Sequence, residues 1–232
     1  MRKRARNIIL LGLLFGGFLL LLRFVFKLSE GEVWSYYIIG SIIILVGAMG
    51  INIAWQKNLM KKVKCLEKIL KDEQNPDKFI EENEKLLQTL KSSYNRAMIK
   101  INLSVGYCEK GEYETAKDIL LSIPSKSLKG IHGVIYFVNL AYVYFRIEEN
   151  QKALNILELH NKDFLCFKTN SSLGGSIAIL RIFQYIVTNQ PLEAQNLLTV
   201  EKEKWADHHF LEDWEFLQIK INELQEMNLD YH

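Results

Sequence analysis

The sequence predicts an all-α protein: two N-terminal transmembrane helices, then an α-solenoid of about three helix pairs ended by a C-terminal capping helix. Three observations predict it. Two uncharged apolar runs, 7–22 and 33–56, stand at the front of a 232-residue chain whose remainder alternates charged and apolar residues as soluble helices do. An ungapped pattern of Tyr, Ala and Leu recurs three times between residues 107 and 198. Two further apolar stretches, 134–147 and 174–187, are too short to cross a bilayer and suit the inner helices of a stacked repeat.

The first span is expected over residues 7–26. Its uncharged core is short, but Arg23 can keep its stem in lipid and its head in the interface, which carries the span to Phe26. A secretory signal peptide would also suit the basic start MRKRAR. No small-x-small cleavage pattern follows, and a second apolar run comes at once, so an uncleaved helix is expected. The second span, 34–55, carries Trp34, Tyr36 and Tyr37 at one end and Trp55 at the other, as interfacial aromatic belts do. Gly12 and Gly16 form a GxxxG spacing, and Gly40, Gly47, Ala48 and Gly50 thin the second helix. Such residues serve hairpin packing or a homodimer through the transmembrane helices, or simply reflect the abundance of glycine in membrane helices. Neither span contains His, Asp or Glu, so an ion pathway has no support.

Orientation follows from the basic residues. Arg2, Lys3, Arg4 and Arg6 precede the first span, and Lys57, Lys61, Lys62 and Lys64 follow the second. The connecting LSEGEVW carries only acidic charges. The positive-inside rule then predicts a plasma-membrane protein with both termini cytoplasmic. Residues 1–56 are accordingly the membrane hairpin and 57–75 a basic juxtamembrane helix and linker, with Leu59, Val63, Leu66 and Leu70 at helical steps. Its lysines would attract anionic lipid at about 1 kcal/mol each, as a secondary effect. Asn75-Pro76-Asp77 marks the start of the soluble domain, 76–232.

Residues 65–232 hold 19 basic and 25 acidic residues, a formal charge of −6. A unit of that sign is repelled by phosphates, which excludes nucleic acid as the main partner. Cys65, Cys108 and Cys166 are odd in number and lack metal spacing, so disulfides and structural zinc are not expected and a reducing compartment is. Short loops and Lys/Ile/Asn-rich usage with free thiols suggest a low-GC Gram-positive bacterial source.

Three windows repeat. The first holds Tyr107, Ala116 and Leu120, the second Tyr144, Ala153 and Leu157, the third Tyr185, Ala194 and Leu198. In each, Ala follows Tyr by nine residues and Leu follows Ala by four. Antiparallel helices approach closely only where a small residue sits at their crossing, and the bulky Tyr and Leu fill the space around it. Gly111, Tyr113 and Pro124 accompany the first window, and Leu140-Ala141 precedes the second tyrosine. Over about residues 95–200 this pattern resembles the tetratricopeptide repeat family. It departs from that family in spacing, the alanines being 37 and 41 residues apart rather than near 34, and the third unit has Arg181-Ile182 in place of the leading Leu-Gly/Ala pair. The loops 125–130 and 161–175 absorb the extra residues. Helices are also expected over 77–91, 95–109 and 205–227, the last as a cap with Trp214, Leu217, Ile221 and Leu224 on one face.

No constellation for catalysis is found, and no cofactor is expected. His208-His209 beside Asp207, Glu212 and Asp213 is the nearest thing to a metal cluster, but without a second ligand group it reads as a solvated helix start. Cys108 and Cys166 lack a basic partner and suit small core positions. Gly174-Gly175 reads as a turn, and His132 and His160 stand alone.

The resemblance implies that the first helix of each unit lines a concave groove. The matching positions hold Ile101, Asn102 and Val105, then Val138, Asn139 and Tyr142, then Ile179 and Phe183. Asn102 and Asn139 are equivalent, and their amides can pair with a peptide backbone. The basic residues with which family members hold a terminal carboxylate are absent. The groove is therefore expected to take an apolar or amphipathic protein segment, unless neighbouring repeats or the terminal helix cover it. The leading expectation is a membrane-tethered adaptor or scaffold. The alternative is a small membrane regulatory or transport component, or an enzyme, whose repeats are only structural.

Overall fold

The computed structural model describes residues 2–27, 29–124, 127–128, 130–206 and 210–229, and every regular element among them is helical. The chain forms two compact units, Met1–Lys64 and Cys65–His232, which divide inside the stretch assigned above to the stem.

In the first unit α1 spans Arg2–Phe26, and α2 starts at Glu30 and continues without a break to Lys71. At 1.5 Å per residue, about 20 apolar residues cross a hydrocarbon core, and α2 meets that length. The apolar part of α1, Gly12–Phe26, is shorter, so among the described residues α2 is the one helix long and apolar enough to span a membrane by itself. Ser29 starts α2: the Ser29 hydroxyl donates to the Glu32 carboxylate at 2.7 Å, and the Glu32 N–H donates back to Ser29 Oγ at 3.4 Å. The apolar side chains stand bare, Ile43 65% and Leu45 62% exposed. Phe15 of α1 packs over Gly40, where a Cβ would run into its ring, and stacks on Tyr37 with centroids 6.1 Å apart. Gly40 thus serves the packing of α1 on α2, whereas a Cβ at Gly12, Gly47 or Gly50 would meet open space.

The second unit follows with α3 (Pro76–Thr89), α4 (Ser93–Glu109), α5 (Tyr113–Leu121), α6 (Ile131–Arg146), α7 (Asn150–Leu159), α8 (Asn161–Phe167), α9 (Gly174–Val187), α10 (Pro191–Lys204) and α11 (Leu211–Leu229). Asn75 caps α3 by accepting from the Lys78 N–H at 2.9 Å, with Pro76 in the first turn, so the Asn-Pro pair opens this helix. Each helix packs on its successor, and α4, α6, α9 and α11 also pack on one another in that order. A single apolar core runs from Ala97 to Ile221.

The turns after α4, α6 and α9 are one motif built three times. The N–H groups of Glu112, Glu149 and Gln190 donate to the carbonyls of Tyr107, Tyr144 and Tyr185, each at 2.9 Å. One residue earlier, Gly111, Glu148 and Asn189 take the left-handed conformation at φ 73°, 62° and 57° and donate to Cys108, Phe145 and Ile186. The recurring tyrosine is therefore the last-turn residue whose carbonyl closes the helix. Glu112, Glu149 and Gln190 in turn occupy the N-cap position of the next helix, so the chain reverses in few residues.

The second helices α5, α7 and α10 each bury two residues, and these are the Ala and Leu of the repeat. Ala116, Ala153 and Ala194 are each 0% exposed. Only the methyl of alanine leaves room for α4, α6 and α9 to lie against them. Leu120, Leu157 and Leu198 stand one turn further on, at 0%, 1% and 1% exposure. All three leucines belong to the continuous apolar core, and none of them lines a surface open to a ligand. The three tyrosines are less uniform: Tyr144 is buried, while Tyr107 and Tyr185 pack against the core only in part.

Four expectations need correction. Cys166, expected at a small core position, is exposed on α8. The stretch 161–175 contains α8 rather than loop alone, because Phe164 is 1% exposed and pulls about two turns of chain onto the core. The last helix begins at Leu211, not Trp205: the Trp205 N–H donates to the Glu201 carbonyl at 2.9 Å, and its Nε1–H to the Glu201 carboxylate at 2.7 Å, which ties Trp205 to the end of α10. Gly174 and Gly175 open α9 rather than form a turn, buried, where a Cβ would strike the rings of Trp205 and Phe210.

Candidate ligand cleft

The first helices converge on a cleft of about 540 Å³. Five of the eight residues expected to face a groove line it: Val105 from α4, Val138, Asn139 and Tyr142 from α6, and Ile179 from α9. Their spacing follows from the helical period, which puts residues three and four apart on one face. The remaining walls include Leu70 and Lys71 at the end of α2, Cys108 and Glu109 of α4, Tyr113 of α5, Ser176 of α9, and Glu212 and Asp213 of α11.

The other three residues serve elsewhere. Ile101 is 4% exposed in the core. Asn102 is half-buried on α4 and is not among the lining residues. Phe183 stacks face to face on Phe145, 5.0 Å between centroids and 6° between planes, and is covered by Phe216 of α11 at 6.0 Å.

One end of the cleft is held by a cluster around Arg146. Its guanidinium lies 4.5 Å from the ring of Tyr113 and 4.3 Å from that of Phe216, one on α5 and the other on α11. Its Nη1 donates to Tyr142 Oη at 2.7 Å and to Asp213 Oδ1 at 3.3 Å, and the Tyr142 hydroxyl donates to the same carboxylate oxygen at 2.7 Å. Burial, then the Asp213 charge, pushes the Tyr142 hydroxyl well above its ordinary pKa, so it stays a donor. Burial likewise raises the Cys108 thiol to about 12, which leaves it neutral and unsuited to nucleophilic attack.

Further along α6, Asn139 presents a different condition. Its Nδ2 is enclosed and has no hydrogen-bond partner among the described residues. A buried donor left unmet costs about 1–3 kcal/mol, which an acceptor brought to it would recover. Arg146 and Asp213 were not identified from the sequence as a pair. They stand 67 residues apart, and no local pattern joins a last-turn arginine of one repeat to the first turn of the terminal helix. The cluster His208-His209 with Asp207 lies outside the described residues.

No family model, curated protein or solved structure matches the chain.

Proposed function

We propose that this chain is a membrane-tethered adaptor that holds a protein or peptide segment in the cleft of a cytoplasmic, tetratricopeptide-like α-solenoid. The observation that carries the reading is the cleft itself. It is walled by successive first helices, lined in part by apolar side chains, and contains the unmet Asn139 donor. The repeated turn, the alanine at each helix pair and the side-by-side run of α4, α6, α9 and α11 support the solenoid. Two spans with both termini cytoplasmic are supported by the bare apolar surface of α2, the Phe15–Gly40 packing and the distribution of basic residues. Tethering confines the captured segment to the membrane surface and raises its effective concentration there.

Site-specific photo-crosslinking in cells tests the proposal. A crosslinker at Asn139 is expected to capture a discrete partner that one at the exposed Glu158 of α7 does not. Capture at Glu158 without capture at Asn139 refutes the cleft as the binding surface.

A further inference from the structure

We infer that the segment held in the cleft carries a cationic side chain among apolar ones; this rests on the adaptor reading and names its ligand class. The first ground is the charge of the lining. Among the described residues Glu109, Glu212 and Asp213 stand against Lys71 and Arg146; the Arg146–Asp213 pair cancels and leaves two carboxylates against one ammonium. Arg146 is already committed: its guanidinium lies against the rings of Tyr113 and Phe216 and donates to Asp213 and Tyr142. Its side chain is only 18% exposed. Among the described residues the cleft thus offers no uncommitted guanidinium to a ligand carboxylate, and their formal charge is negative.

The second ground is the surrounding field. The formal charge of −6 on residues 65–232 repels acidic segments and draws basic ones from a distance of about a Debye length, ~8 Å at physiological salt. The third is the wall, where the half-buried Leu70 and Val105 offer apolar contact to neighbouring side chains of the segment, with the core residues Val138 and Ile179 behind them. Asn139 borders the cleft, and its enclosed Nδ2 has no partner among the described residues, so its amide is the polar group on this wall still open to pairing with a backbone. Apolar walls and the amide give affinity, and the acidic lining gives the sign of charge selected.

Fluorescence anisotropy on the full chain in zwitterionic nanodiscs tests this. The probes are three labelled dodecapeptides with one Leu/Val/Ala core and flanking Lys, Ser or Glu. The Lys peptide is expected to bind tightest and to weaken as salt rises. Glu212→Gln is expected to narrow the Lys-over-Glu preference by about 2- to 5-fold, as for an exposed charge pair. Glu158→Gln, outside the cleft, is expected to leave that preference unchanged, and Asn139→Ala to weaken all three peptides alike. Equal or tighter binding of the Glu peptide, or a preference untouched by Glu212→Gln, overturns the inference. If the peptides bind equally but still depend on Asn139, the adaptor reading stands and the inference alone falls. Binding that ignores Asn139, or no binding at all, overturns both.

Discussion

The three turns offer a graded experiment on a single backbone motif. Gly111, Glu148 and Asn189 hold the same left-handed position at φ 73°, 62° and 57°. An L side chain there costs about 1–2 kcal/mol through the clash of Cβ with the following carbonyl. Asparagine bears less of that cost than glutamate. The Glu148 side chain is exposed, so little packing is lost with it. Glu148→Gly therefore relieves about 1–2 kcal/mol of strain and gives back about 0.5–1 kcal/mol through the greater freedom of glycine in the unfolded chain. The net expectation is a gain of about 0.5–1 kcal/mol, or about 1–4 °C in Tm for a domain of this size. Asn189→Gly is expected to change Tm by less, and Gly111→Ala to lower it by about 2–4 °C, its own strain exceeding the entropy it saves. The assay is thermal unfolding of the full chain in detergent, followed by far-UV circular dichroism. A Glu148→Gly protein no more stable than the parent, or a Gly111→Ala protein equally stable, would refute the equivalence of the three turns.

Three further outcomes are expected. Ala153→Leu forces extra methylene and methyl groups into a site of 0% exposure and should cost about 1–3 kcal/mol, whereas Leu159→Ala at 79% exposure should leave the unfolding midpoint nearly unchanged. Asp213→Asn removes the carboxylate that accepts from Tyr142 and Arg146, a loss of about 1.5–3 kcal/mol. Hydrogen exchange would show it as roughly ten- to hundredfold faster exchange at the start of α11, with α3 and α4 unaffected. Thiol alkylation of the native chain at about pH 8 should modify the exposed Cys65 and Cys166 and spare Cys108 until denaturant is added, since burial holds that thiol near 12. Modification of Cys108 at the same rate as the other two would show that its thiol is not held above the ordinary range.

Much of this was legible because it is periodic or local. The Tyr–Ala–Leu spacing marked the positions that close one helix and admit the next, since turn geometry and the size of alanine are properties of adjacent residues. Leu120, Leu157 and Leu198 follow their alanines by one helical turn, so they share the buried face for the same reason. Asn75-Pro76, read as the start of the soluble domain, is the cap that opens α3, whereas Ser29–Glu32 caps α2 inside the stretch read as a connecting loop. The misplaced elements were those fixed from a distance. Phe164 makes a helix of an expected loop by reaching the core, and Trp205 ends a helix by lying on Gly174.

The sequence alone determined an all-helical chain, an apolar α2 long enough to cross a membrane, and five residues that came to line one cleft, because hydropathy and helical period act along the chain. Only the tertiary structure decided that Arg146 is sequestered between Tyr113 and Phe216, that Phe183 lies beneath α11, and that Asn139 lacks a partner among the described residues. These are matters of which side chains meet across tens of residues. The packing of α11 against α9 and α10 sets those meetings, and no spacing within a single helix encodes them.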